Sequence, residues 1–244
     1  MGRVKRINAA VISLTFAAGC VLGAAGDLKV VEAYEFSAAD EEQQKLWEML
    51  GPEQKAGYSP YIEPVPNEEC TVGMNEPVKI VDIGVAHMEY QVTNAEFYPT
   101  IEATGYEEEE FYIFERELAE IEMSEGEKGI LIVTVEATML EPPEISWKQQ
   151  EDLKDHINIM DIYNLLCGEE RISGPILMDA DDDDKWERGE QEYYYFYCEE
   201  EIPTVLKLGY AVDKKQLEDE MYLVFSGSLS TYVFISLDHI ERYE

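Results

Sequence analysis

The sequence predicts a mainly β protein: an antiparallel β-sandwich behind an N-terminal signal or anchor helix and a short helix with a proline-rich tether. Three observations carry this. From Val78 onward the chain breaks into short runs rich in Val, Ile, Tyr, Phe and Thr, most of them bounded by Gly, Pro or Asp. No alternating strand–helix rhythm separates these runs, so a parallel sheet with crossover helices is excluded. The first 26 residues have another texture, with three cations and then an apolar stretch.

In that leader, Arg3, Lys5 and Arg6 precede an apolar run from Ile7 to Ala25. A positive end followed by a bilayer-compatible stretch is the pattern of a secretory signal. Cys20 closes Phe16-Ala17-Ala18-Gly19-Cys20, which resembles a bacterial lipobox, with Ala17 standing where leucine is usual. Lipidation there would add two acyl chains, each buried CH₂ contributing about 0.8 kcal/mol, enough for stable anchoring. Two other fates are open. Cleavage near Ala24 or Ala25 would release the protein, and the roughly 19-residue run, left uncut, is long enough to span a bilayer.

Eighteen basic residues face 53 acidic ones, a net charge of −35. The leader holds three of the cations and no acid, so the remainder carries 15 against 53, or −38. Such a surface repels nucleic acid and anionic lipid. It favours a cationic partner, a divalent metal or contact through an uncharged patch. Setting Cys20 aside leaves Cys70, Cys167 and Cys198, an odd number that allows at most one bridge, Cys167–Cys198. That is no disulfide framework, and packed, unpaired thiols are the favoured reading.

In chain order, residues 27–36 (DLKVVEAYEF) read as a short strand or stalk. Ser37 caps a helix whose first turn holds Asp40, Glu41 and Glu42 and whose apolar side is Leu46, Trp47, Met49 and Leu50. Gly51-Pro52 ends it. The prolines between Pro52 and Pro77 predict a semi-rigid tether or a meandering strap, and helix and strap either lift the domain off the membrane or pack on it as an N-terminal extension. Strands follow at 78–85, 87–98, 128–139, 192–199, 204–212, 221–226 and 231–237. In the second, Met88, Tyr90 and Val92 share one face, and the pattern resumes at Ala95 and Phe97, which predicts a bulge near Thr93-Asn94. Residues 111–120 suggest a short helix, 141–156 a long connection, and 157–168 either a strand or a helix, with strand favoured. The division expected is 1–26 signal or anchor, 27–76 helix and tether, and 77–244 sandwich.

A resemblance extends this reading. The lipobox-like leader is followed by Gly73-x-x-Glu76-Pro77-Val78, then Glu89-Tyr90-x-Val92-Thr93-Asn94-Ala95-Glu96, and later by Leu208-Gly209-Tyr210-Ala211-Val212-Asp213, Leu217 and Met221-Tyr222-Leu223-Val224-Phe225. Together these resemble uncharacterised surface lipoproteins of Gram-positive anaerobes that carry an immunoglobulin-like domain of unknown function. The resemblance covers about residues 73–237, and insertions near 141–156 and 169–191 depart from it. It implies an immunoglobulin-like sandwich on the outer face of the cell membrane and supplies no catalytic residue.

Two stretches could bind something. Asp179, Asp181, Asp183, Glu187 and Glu190 fall at positions 1, 3, 5, 9 and 12 of a twelve-residue calcium loop, a pattern that suits a hard cation needing many oxygens. Asp184 stands where that loop needs glycine, so a looser Ca²⁺ site and a solvated acidic loop are the competing readings. The run Tyr193-Tyr194-Tyr195-Phe196-Tyr197 could present Tyr193, Tyr195 and Tyr197 to a glycan or protein partner, with Trp147 and Trp186 extending the face. The plainer reading is a central strand covered on both sides.

Enzymatic patterns are missing: His87, His156 and His239 are scattered, and no activated-nucleophile or phosphate-loop motif occurs. The expectation is a non-enzymatic, membrane-anchored extracytoplasmic lipoprotein, needing no cofactor unless Ca²⁺ binds. It would display a binding domain for an unknown protein or glycan partner and no nucleic acid. The alternatives are a calcium-dependent adhesion or structural module and an extracellular hydrolase with an unrecognised site.

Overall fold

A computed structural model describes residues 41–59, 65–81, 86–111, 115–141, 156–158, 163–181 and 195–243. The leader with Cys20, the stretch 27–36, the Ser37 cap and most of the connection 141–156 lie outside the described residues.

Two sheets pack face to face. The first is built from β3 (His87–Tyr98), β4 (Lys128–Glu141), β10 (Pro203–Asp213) and β8 (Leu177–Ala180), in that order. Its β3 edge is covered in two halves, by antiparallel β2 (Val78–Val81) and by parallel β13 (Glu241–Arg242). The second sheet runs β1 (Thr71–Val72), β12 (Thr231–Ser236), β11 (Met221–Gly227), β6 (Tyr163–Cys167) and β7 (Glu170–Ser173). β5 (His156–Asn158) and β9 (Tyr195–Tyr197) form a third, two-stranded ribbon. Among the described residues the architecture is therefore a β-sandwich of two largely antiparallel sheets.

Alternation explains the core. Met88, Tyr90 and Val92 of β3 point inward, the register slips between Val92 and Asn94, and Ala95 and Phe97 resume the inward face. Without that bulge, Phe97 would turn away from the core. Leu131, Val133, Val135, Ala137 and Met139 of β4 and Leu206, Leu208 and Tyr210 of β10 join them. From the other sheet come Leu165, Leu223, Phe225, Val233 and Ile235. The rings of Tyr90 and Phe225 meet across the layers at 4.8 Å.

The outer faces are also partly covered. Ile130 and Ile132 of β4 turn away from the main core. They pack with Ile101 of α3 (Ile101–Thr104) and with Leu118 and Ile121 of α4 (Glu115–Met123), which fits the helix expected near 111–120. On the opposite sheet, Cys70, Val224 and Phe234 form a smaller cluster with Ala56 against it.

That last cluster packs part of this segment on the domain, as the extension alternative has it, and not in a free tether. Helix α1 (Glu41–Met49) ends before Gly51, as the sequence suggests, but Pro52 then opens α2 (Pro52–Ala56) instead of a free strap. Gln54 and Leu50 are buried, Tyr58 bridges to Thr231, and β1 pairs in parallel with β12. Gly57 lies so close to the Tyr232 backbone that a Cβ would collide with it. Proline spacing could not show that an apolar outer face was there to receive this segment. Met49, expected on the apolar side of the helix, is 40 % exposed.

Candidate functional site

The described surface with the most developed chemistry lies on the outer side of the first sheet, where α3 returns the chain toward β8. Thr100 caps α3 by accepting from the Ala103 N–H at 3.2 Å, and Gly105, at φ 81°, takes the left-handed turn that ends it. Tyr106 follows, and a turn at Glu108–Glu110 is closed by reciprocal capping between Glu107 and Glu110. The Tyr106 hydroxyl donates to Asp179 Oδ2 at 2.6 Å, and Lys207 Nζ stands 5.8 Å from the ring centroid. Asp179 and Lys207 face each other as register partners on β8 and β10.

Beside this trio is an open cavity of about 310 Å³ lined by Ile101, Glu102, Gly105, Tyr106, Glu107, Glu108 and Glu122. Burial first, and then the Asp179 carboxylate, push the Tyr106 phenol well above its usual proton affinity. The phenol is therefore a fixed hydrogen-bond donor and not a proton-transfer group.

Two of the five proposed calcium ligands are described, and both carboxylates have protein partners. Asp179 accepts from Tyr106, and Asp181 Oδ1 accepts from the Val205 N–H at 2.8 Å. Asp183, Glu187 and Glu190 lie outside the described residues. Among the described residues, no cluster of three or more His, Cys, Asp or Glu side chains is arranged to hold a metal.

Of the tyrosine row, Tyr195 and Tyr197 are half-buried while Phe196 is fully buried in the main core, so the alternation holds. The plainer reading needs correction, because β9 pairs with β5 in a separate ribbon and is not a central strand. The Thr204 hydroxyl donates to the Tyr197 carbonyl at 3.0 Å. Tyr193, Trp147 and Trp186 lie outside the described residues.

Cys70, Cys167 and Cys198 are buried thiols outside any disulfide, so no Cys167–Cys198 bridge is present. Burial, followed by Glu170 and Asp219, pushes Cys167 up to about 12. His87 Nδ1 lies 3.9 Å from Glu141 Oε2. No described helix is long and apolar enough to cross a membrane.

Sequence reasoning missed Tyr106, Lys207 and a C-terminal cluster. In that cluster Tyr243 stacks on Tyr98 at 4.7 Å and donates to Glu96 at 2.8 Å. Only the Gly105 turn before Tyr106 was a usable signal, since the other pairings are long-range.

Fold and site together define a β-sandwich protein with an acidic, aromatic outer surface. No protein-family model matches the sequence, and no curated protein matches it. Among solved structures, it is similar to an uncharacterized beta-sandwich protein from Clostridium difficile 630, with a TM-score of 0.38 and 10 % identity. The match covers 74 % of this chain and 100 % of that one.

Proposed function

We propose that this protein is a membrane-anchored extracytoplasmic lipoprotein that displays a non-catalytic, immunoglobulin-like binding domain. The observation that carries the anchoring is Cys20, set after small residues at the end of an apolar run that follows three cations. The strand order supports the domain assignment. The series β3-β4-β10-β8 matches the A-B-E-D order of an immunoglobulin sandwich, and β12-β11-β6-β7 matches G-F-C with an added C′ strand. Strands β1, β2 and β13 are then additions along the two A and G edges.

A binding role is favoured over catalysis by the character of the titratable groups. Cys70, Tyr98, Tyr106, Cys167, Tyr222 and Tyr243 all have raised proton affinity and stay in their neutral forms. None of these is shifted downward, as a nucleophile activated by a lowered proton affinity would be. The strongly negative surface favours a protein partner with a cationic face. The test is labelling with palmitate in a bacterium that processes lipoproteins, comparing the native chain with Cys20→Ser. Cys20-dependent label in the membrane fraction is the expected result, and its absence would remove the anchor from the proposal.

A further inference from the structure

We propose that Tyr98 and Tyr243 form an oxidative cross-linking site, at which a peroxidase-type oxidant joins the two rings and locks the C-terminal strand onto β3. The geometry is specific. The rings are parallel to within 1° with centroids 4.7 Å apart, close to contact between aromatic faces. The Tyr243 hydroxyl donates to Glu96 Oε1 at 2.8 Å, and the Tyr98 phenol interacts with the same Glu96 carboxylate and with the Tyr243 hydroxyl. Both phenol ends therefore lie beside the same carboxylate, with the two ring faces against each other. The backbone holds this arrangement. The Tyr243 N–H donates to the Phe97 carbonyl at 3.0 Å, and Arg242 grips Glu218 at 2.7 Å and the Leu217 carbonyl at 2.8 Å.

Three other described ring contacts lack one requirement. Tyr90 meets Phe225, Tyr222 meets Phe234 and Trp47 meets Tyr58, so each pair holds a single phenol. Tyr243 is also 44 % exposed, which lets an external oxidant reach it.

The chemistry balances as follows. Each phenol gives one electron to the oxidant and one proton to water, through the neighbouring carboxylates, leaving two phenoxyl radicals. These form one carbon–carbon bond between ortho positions. The two ortho hydrogens then move to oxygen as protons, restoring both phenols. Hydrogen peroxide, acting through a peroxidase, takes up the two electrons and two protons and becomes two waters. The protein loses two hydrogen atoms and gains a link between β3 and its last strand, which stabilises it as any long covalent loop does, by restricting the unfolded chain.

The experiment treats the dilute full-length protein with hydrogen peroxide and a peroxidase, then maps peptides by mass. The expected result is a monomer lighter by two hydrogen atoms, with dityrosine fluorescence and the peptides containing Tyr98 and Tyr243 joined. Tyr243→Phe and Tyr98→Phe each abolish that peptide pair, whereas Tyr222→Phe leaves it in place. Cross-links only at other tyrosines, only between separate chains, or none at all would overturn the proposal.

Discussion

Gln54 and Val81 meet as two strand residues would. The Gln54 amide donates to the Val81 carbonyl at 3.1 Å and accepts from the Val81 N–H at 2.8 Å. Gln54 is fully buried and belongs to α2, so a helix side chain completes the end of β2. The same amide reaches Thr231 Oγ1 at 3.4 Å. One residue thus ties the N-terminal segment to both sheets. Replacing it with alanine leaves a buried donor and acceptor without partners, at a cost of about 1–3 kcal/mol. Gln54→Ala is expected to lower Tm by roughly 2–4 °C for each kcal/mol lost, measured by thermal unfolding. An unchanged Tm would mean that the N-terminal segment does not contribute to the fold.

Tyr106 and Asp179 give a pH-dependent prediction. The folded state holds the Tyr106 proton more tightly than an unfolded chain does, because of burial and the Asp179 acceptor. The phenol's contribution is thus fully present below the ordinary tyrosine value of about 10 and is lost as pH rises above it. Tyr106→Phe is expected to flatten the fall in stability above that pH, relative to the native chain. Parallel urea titrations at neutral and alkaline pH would show this, and equal slopes would contradict it.

How far sequence carried the structure depends on the range of the interaction. Strands β3, β4, β10, β11 and β12 were readable because alternation is local and each strand buries one face against the core. The bulge at Val92–Asn94 was readable for the same reason. Residues 52–59 and 65–72 read equally as a tether or a packed extension because their partners, Val81 and Thr231–Ile235, are distant in sequence. The Asp179 and Asp181 carboxylates looked alike in spacing, yet a phenol and a backbone N–H engage them separately. No local pattern announces such partners.

Those two aspartates predict the response to calcium. A cation would have to compete with the 2.6 Å bond from Tyr106 and the 2.8 Å bond from Val205, and each is a charge-assisted bond stronger than a neutral one. Millimolar Ca²⁺ is therefore expected to leave Tm unchanged, with Asp181→Asn and the native chain responding alike. A calcium-dependent rise in Tm that Asp181→Asn abolishes would restore the loop as a metal site.

The three thiols offer the last test. Cys70, Cys167 and Cys198 are buried, and burial raises the proton affinity of Cys70 and takes Cys167 up to about 12. The attacking species in alkylation is the thiolate, so burial opposes reaction at all three in the folded state and raised proton affinity opposes it further at Cys70 and Cys167. Iodoacetamide at neutral pH is expected to leave all three unmodified in native protein and to label them together once urea unfolds it. Their labelling should therefore track global unfolding as one transition, read as mass increments along a urea series. Early modification of Cys70 alone would show that its cover, from α2 to β1, opens before the sandwich does.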